Sequence, residues 1–226
     1  MKKYVIIVAG GKGVRMKTTI PKQFLLLNGK PVLMHTIEAF YHYDPEIYII
    51  LVLSKERKTY WHYLCKQYNF KIDHHIVEGG INRFYSVKNG LFLVKKKCLV
   101  AIHDGVRPLT SKKLITNAFK IAKKAQAVYP AIPVTDTLVQ KKYKSTILAN
   151  RSNFFLVQTP QVFLSDIVIN AYKTTAFSCH FTDDISVVKP KKTCIPIMIK
   201  GSKSNIKITT SIDLIIAETL ITSLWK

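Results

Sequence analysis

Short apolar runs rich in β-branched residues alternate along this chain with longer stretches whose apolar positions recur every three or four residues. Residues 4–9 (YVIIVA), 48–53 and 98–102 are of the first kind and read as strands buried on both faces, as in a parallel sheet. Between them, Val32, Leu33, Ile37, Phe40 and Tyr41 recur at helical spacing over 32–43. Pro31 stands at that helix's first position and Asp44-Pro45 ends it. Ser54 is placed to cap a helix over 55–68 whose inner face is Trp61, Leu64, Cys65 and Tyr68. A strand near 71–77 and a helix over 83–94 follow. Ser111 caps a helix reaching 126. Residues 127–134 form a strand whose later part Pro130 and Pro133 make irregular or place at an edge. Helix 165–175, a helix capped by Thr182 or Asp183, a strand over 193–199, a short strand over 205–209 and a helix capped by Ser211 complete the pattern. Strands alternating with helices predict an α/β fold, Rossmann-like and doubly wound on a mostly parallel sheet, with ligands over the C-terminal strand ends. The apolar pattern lapses over 135–153, where Thr135 to Leu138, a lysine-rich turn and residues 147–151 read as a hairpin projecting from the body. The chain is therefore one domain, 1–226, with an arm at 135–153.

Three strand ends carry candidate chemistry. The first runs into Gly10-Gly11-Lys12-Gly13-Val14-Arg15-Met16. Closely spaced glycines allow a tight turn with backbone N–H groups close to a ligand, and Lys12, Arg15, Lys17 and Lys22 add countercharge; together they suit a polyphosphate. The spacing is neither that of a P-loop nor the Gly-x-Gly-x-x-Gly of a dinucleotide fold. The second end is Glu78-Gly79-Gly80, followed by Arg83 and Ser86. Two glycines let the backbone approach a flat base whose edge Ser86 and main-chain groups can read. His74 and His75, just before it, read as surface residues of an edge strand and not as ligands. The third is His103-Asp104-Gly105-Val106-Arg107-Pro108. Asp104 sits where open α/β sheets place ligand chemistry, able to bind Mg²⁺ directly, to hold its waters, or to hold a substrate hydroxyl; Arg107 is a phosphate or structural partner.

Composition changes this picture little. The chain carries 35 Lys plus Arg against 13 Asp plus Glu, a formal charge of +22. A basic nucleic-acid-binding protein is one reading of that balance. Its lysines, however, are dispersed and lack the interleaved aromatics that stack bases. An enzyme acting on polyanions fits better. Apolar content of 48% excludes disorder, and no apolar run is long enough to span a membrane. The N-terminal apolar run is too short for a signal peptide. Cys65, Cys98, Cys179 and Cys194 are far apart and read as buried, reduced thiols of a cytoplasmic protein, with neither disulfide nor metal.

Five ordered motifs carry a resemblance. They are Ala-Gly-Gly-x-Gly-x-Arg-Met with Pro21-Lys22-Gln23-Phe24; Gly79-Gly80 with Arg83 and Ser86; His103-Asp104 with Arg107-Pro108; Gln158-Thr159-Pro160-Gln161; and Asn205-Ile206-Lys207-Ile208-Thr209. From Val8 to about Asp213 the chain resembles the 2-C-methyl-D-erythritol 4-phosphate cytidylyltransferase family of the non-mevalonate isoprenoid pathway. Where that family usually has alanines between His-Asp and Arg-Pro, Gly105 and Val106 stand here. The resemblance implies a nucleotidyltransferase fold and CMP transfer from CTP to the polyol phosphate, releasing pyrophosphate, with Mg²⁺ or another divalent cation. It implies Arg15, Lys22 and Lys207 as catalytic cations, and Ala9, Gly10, Gly11, Gly13, Gly79, Gly80, Arg83 and Ser86 around the nucleotide. Asp104, Arg107, Thr137 and Arg151 would bind the second substrate, Thr137 and Arg151 from an arm that reaches across the two-fold axis of a homodimer. D-ribitol 5-phosphate cytidylyltransferases share most of these motifs, so the acceptor stays open between the two polyol phosphates.

Overall fold

A computed structural model describes residues 1–11, 20–143, 145–191 and 194–224. The first half holds strands β1 (Lys3–Val8), β2 (Leu26–Leu27), β3 (Lys30–Pro31), β4 (Tyr48–Leu53), β5 (His75–Glu78) and β6 (Leu99–Asp104). Its helices are α1 (Val32–Tyr43), α2 (Lys58–Gln67) and α3 (Arg83–Leu91). The second half holds α4 (Lys112–Ala125), β7 (Ala127–Pro133), β8 (Leu138–Lys141), β9 (Thr146–Ala149), β10 (Phe155–Val157), β11 (Gln161–Leu164), α5 (Ser165–Thr174), α6 (Asp184–Val188), β12 (Ile197–Lys200) and α7 (Ser211–Leu224).

The main sheet runs β10-β7-β11-β6-β1-β4-β5, with β12 also paired to β7. β6, β1, β4 and β5 are mutually parallel, as are β12 and β7; β11 and β10 run antiparallel to their neighbours. The expected mostly parallel, doubly wound sheet is what the chain builds. The pleat of β1 shows why: Val5 and Ile7 enter a core with α1, α2 and α4, while Tyr4 and Ile6 enter another with α3, α5 and α6. With both faces covered, a strand must be apolar at every position. A third, smaller core packs α7 against Leu27, Val32, Val106 and Ile208.

Local chemistry sets most helix starts. Ser111 accepts from Leu114 N–H, as expected; of Thr182 and Asp183 it is Asp183 that caps α6, in a capping box with Ser186. Asn82, unanticipated, caps α3 by accepting from Tyr85 N–H. Other expectations need correction. Ser54 makes no side-chain cap; a 3₁₀ turn, Lys55–Arg57, precedes α2. The third strand is shorter than 71–77, being only His75–Glu78, and α3 ends at Leu91. Ser211 is the first residue of α7, and it is Asp213 that accepts from the N–H groups of Thr209 and Thr210. Residues 205–209 form no strand. His74 is half-buried, because the indole N–H of the fully buried Trp61 donates to its Nε2 at 2.9 Å. Burial pushes its pKa down, so the neutral ring can accept there and donate from Nδ1 to Ile72 O. All four cysteines are free thiols, but only Cys98 is fully buried and Cys179 is exposed.

Within 135–153 the chain forms the β8–β9 hairpin, a two-stranded sheet of its own. No helix among the described residues is long and apolar enough to cross a membrane.

Candidate active site

The C-terminal ends of β1, β4, β5 and β6 bring three of the motifs together. At the end of β1, Ala9 N–H donates to Val52 O, and the Ala9 carbonyl accepts from the buried Gln23 side chain at 2.7 Å. That bond, with Phe24 packed against Tyr60 and Trp61, plants the 3₁₀ turn Lys22–Phe24 and so locates Lys22 beside the first strand end. Gly10 and Gly11 follow. Gly13 and Arg15, with Lys12 and Lys17, lie outside the described residues.

Gly79 N–H donates to Leu53 O at 2.7 Å, seating the second loop against the end of β4. Ser86 Oγ lies between the loops, accepting from Gly80 N–H at 3.1 Å and donating to Asn82 O at 2.8 Å. Its hydroxyl proton is therefore committed to the loop, leaving an acceptor lone pair and the neighbouring main chain for a base. A Cβ on Gly80 would stand 2.3 Å from Tyr85 Cβ, so only glycine fits the turn.

Asp104 ends β6 and gathers cations from three parts of the chain. Lys207 Nζ lies 3.0 Å from Oδ2, Arg107 Nε 3.2 Å from Oδ2, and Arg83 Nε 3.6 Å from Oδ1. Burial works against a charged carboxylate here, but Arg83, Lys207 and Arg107 outweigh it and hold Asp104 well below the usual carboxylate range. Arg83 also forms a bidentate pair with Asp184, at 2.9 and 2.7 Å, and Tyr172 O–H donates to the same carboxylate at 2.7 Å. Burial opposes the charge on Arg83, and Asp184 and then Asp104 more than restore it. Arg107 is buried and spends its donors on Asp104 and the Asn205 carbonyl; of the two roles read for it, these are the contacts of a structural partner. Gly105 is required where alanine was the expected residue: a Cβ there would stand 2.9 Å from Ala9 Cβ.

Within this group the charges of Arg83, Arg107 and Lys207 exceed those of Asp104 and Asp184 by one. Lys207 is its exposed member, with 40% of its side chain accessible. The result is a buried pair of carboxylates outnumbered by their cations, with the surplus charge at the surface on Lys207, which suits a phosphate.

Among the described residues, no group of three or more His, Cys, Asp or Glu side chains could hold a metal ion. Asp104, crowded by cations, is a poor direct ligand for Mg²⁺. A single buried carboxylate of this kind would suit a Mg²⁺ that takes most of its ligands from water and substrate oxygens.

Thr137 and Arg151 stand apart. Both are exposed on the arm, and Arg151 Nη1 donates to Thr135 O at 2.6 Å. Among the described residues neither hydrogen-bonds nor ion-pairs with the Asp104 shelf.

Several residues here were not read as site residues from the sequence. Asp184 was seen only as part of a helix start, and Gln23, Gln161, Thr159 and His103 only as motif letters. Gln161 Oε1 accepts from Asp184 N–H and Ile185 N–H, which orients α6 and with it the Asp184 carboxylate. The signal was available: Gln158, Thr159 and Gln161 interrupt an apolar run, and a buried polar side chain must be hydrogen-bonded.

Comparison with known proteins gives the family. The family model described as 2-C-methyl-D-erythritol 4-phosphate cytidylyltransferase matches residues 3–223. A protein of that name from Azobacteroides pseudotrichonymphae is 73% identical over 220 residues, covering 97% of this chain and 99% of its own. Another from Phocaeicola vulgatus is 48% identical over 223 residues, covering 98% and 100%. The crystal structure of 4-diphosphocytidyl-2C-methyl-D-erythritol synthase from Anaerococcus prevotii superposes with a TM-score of 0.82 at 27% identity, over 98% of each chain. The Thermus thermophilus 2-C-methyl-D-erythritol 4-phosphate cytidylyltransferase structure superposes at 0.78 with 26% identity, over 98% of this chain and 100% of its own. With a match over nearly its whole length and the motifs gathered at one sheet edge, the chain belongs to the 2-C-methyl-D-erythritol 4-phosphate cytidylyltransferase family.

Proposed function

We propose that the protein transfers CMP from CTP to 2-C-methyl-D-erythritol 4-phosphate, giving 4-diphosphocytidyl-2-C-methyl-D-erythritol and pyrophosphate, as a cytoplasmic homodimer. The observation that carries the site is Lys207 Nζ at 3.0 Å from Asp104, delivered from the far end of the chain to the C-terminal edge of β6.

A phosphate oxygen of the acceptor attacks the α-phosphorus of CTP. A new P–O bond forms, and the bond to the bridging oxygen breaks with its electron pair, which leaves on pyrophosphate. The attacking oxygen is already anionic near neutral pH, so no general base is needed. The barrier comes from like-charge repulsion and from charge developing at the α-phosphate, so positioned cations are the appropriate catalysts. Lys207 and Lys22 meet the α-phosphate. Arg15 and the Gly10 to Gly13 amides hold the rest of the triphosphate. Gly79, Gly80 and Ser86 face the cytosine. Asp104 orients Lys207 and accepts from an acceptor hydroxyl, with Arg83 and Arg107 holding the carboxylate in place. Asp104 would hold Mg²⁺ or another divalent cation, whose chemistry when bound would be to neutralise phosphate charge.

Thr137 and Arg151 act on the neighbour's site across the two-fold axis. Two features support the homodimer. The arm exposes Val139, Tyr143, Ile147 and Leu148, and β10 exposes Phe155, Leu156 and Val157 on a sheet edge.

The test is pyrophosphate release from Mg²⁺ and CTP with each of two acceptors. Strong preference for 2-C-methyl-D-erythritol 4-phosphate is expected. Preference for D-ribitol 5-phosphate would replace the acceptor and keep the CTP site. Release with neither would overturn the reading.

A further inference from the structure

Lys207 arrives at Asp104 without a strand to carry it. Residues 201–210 contain no helix or strand, so no ladder of backbone bonds fixes where Lys207 lies. The segment is tethered instead by separate bonds, and two of its anchors flank Lys207 closely. Ile208 N–H donates to Val106 O at 2.9 Å, and on the other side of Lys207 stands Asn205, 0% exposed.

Asn205 is bonded in three directions. Its Nδ2 donates to Thr159 O at 2.8 Å, its Oδ1 accepts from Thr110 Oγ1 at 2.8 Å, and its carbonyl accepts from Arg107 Nη1 at 2.7 Å. Thr159 in turn accepts from Asp104 N–H, at 3.1 Å, and its Oγ1 lies 2.9 Å from His103 Nδ1. His103 Nε2 lies 3.2 Å from Thr110 Oγ1 and 3.3 Å from Arg107 O. Burial pushes the His103 pKa down to about 3, so the ring is neutral and carries one proton. With Thr110 donating to Asn205 and Thr159 donating to His103 Nδ1, that proton belongs on Nε2. Every member then has a partner: Asp104 N–H to Thr159, Thr159 to His103, His103 to Thr110 or the Arg107 carbonyl, Thr110 to Asn205, and Asn205 back to the Thr159 carbonyl. This closed, uncharged ring ties the segment bearing Lys207 to the strand end bearing Asp104. A half-satisfied version would leave buried polar atoms unpaired, so the geometry has little slack.

We propose that Asn205, closed into this ring by Thr110, His103 and Thr159, is a positioning residue that sets the place of the Lys207 ammonium relative to Asp104 and to the α-phosphate of bound CTP. The proposal rests on Lys207 being a catalytic cation. Asn205 touches neither substrate, and its whole effect on turnover passes through Lys207.

The experiment is a double-mutant cycle in the full-length enzyme, with Asn205→Ala and Lys207→Ala singly and together. Pyrophosphate release at saturating CTP and acceptor gives kcat, the KM for CTP is measured separately, and folding is checked by urea denaturation. Misplacing the cation by about 1 Å lowers kcat by up to roughly 100-fold in Asn205→Ala, with the KM for CTP changed far less. In the Lys207→Ala background the same substitution is expected to change kcat by less than about threefold, since units acting as one are not additive. Equal losses in both backgrounds, with Lys207→Ala itself crippled, would overturn the positioning role alone. Near-normal turnover in Lys207→Ala would overturn the reading of Lys207 and this proposal with it. Should Asn205→Ala fail to fold, Thr110→Val and Thr110→Ser run the same cycle: Val removes only the hydroxyl that meets Asn205, and Ser returns it. Loss with Val and recovery with Ser, both only when Lys207 is present, is the expected result; loss irrespective of Lys207 contradicts it.

Discussion

The Asp104 shelf and the β8–β9 arm are opposites. In the shelf, Asp104, Arg107, Asp184 and Asn205 are buried, and each hydrogen-bonds or ion-pairs with residues far away in sequence. In the arm, strands pair only with each other, and Tyr143 and Leu148 are 95% and 75% exposed. The shelf is complete within one chain. The arm presents a cation, Arg151, held only by the nearby Thr135 carbonyl, and an apolar surface of Val139, Ile147 and Leu148 that is largely exposed. A site needing both can be rigid where charge develops and still depend on a second copy for part of its grip on substrate.

The comparison breaks most severely at Asp184. Removing one partner of a buried ion pair leaves the other uncompensated, so Asp184→Ala should cost about 3–5 kcal/mol in urea-denaturation stability. A loss under about 1 kcal/mol would mean that water already shares Arg83. Next, Lys207→Ala or Lys22→Ala should lower kcat by about 10²–10³ with the urea midpoint little changed. Near-normal turnover in either would remove that lysine from the chemistry.

Acid sharpens the contrast. His103 is neutral in the fold, but an unfolded chain takes up a proton there below about pH 6.5. The unfolded state then binds more protons, so stability falls as pH drops from about 6.5 towards the folded-state value of about 3, by about 1.4 kcal/mol per pH unit for this group. His35 and His74 are also pushed down by burial and add to the slope. Between about pH 6 and 4.5, His103→Asn should therefore show a shallower decline than wild type by up to that amount, and an unchanged slope would contradict the buried neutral ring. The smallest expected effect is on the arm: Leu148→Lys should leave the unfolding free energy of the single chain, measured in urea, within about 0.5 kcal/mol of wild type while shifting sedimentation towards monomer. A fully active monomer at nanomolar concentration would remove the arm from the neighbour's site.

The division also explains what the amino-acid pattern revealed. Apolar runs at 4–9, 48–53 and 98–102 were legible as doubly covered strands because burial on both faces leaves a continuous signature. Asp104 was legible because a carboxylate follows such a run. Lys207 was singled out from its motif, and it does meet Asp104, but its segment is not the strand it reads as: bonds at Asn205 and Ile208 that have no period anchor it. The Arg83–Asp184 pair joins residues 101 apart in sequence, and nothing local announces such a partnership. Cys179 and His74 were misplaced for the same reason, since exposure and a single indole donor are tertiary facts.

The most direct test of this division of labour mixes two inactive variants, Lys207→Ala and Arg151→Ala, after each has been dissociated and allowed to reassociate. A two-fold dimer whose arm completes the neighbour's site contains one intact site per mixed pair, so random pairing should restore roughly a quarter of the wild-type sites. Pyrophosphate release at that level would show the shelf and the arm acting from different chains. Activity no higher than the average of the two parents would mean that each arm serves its own chain or none.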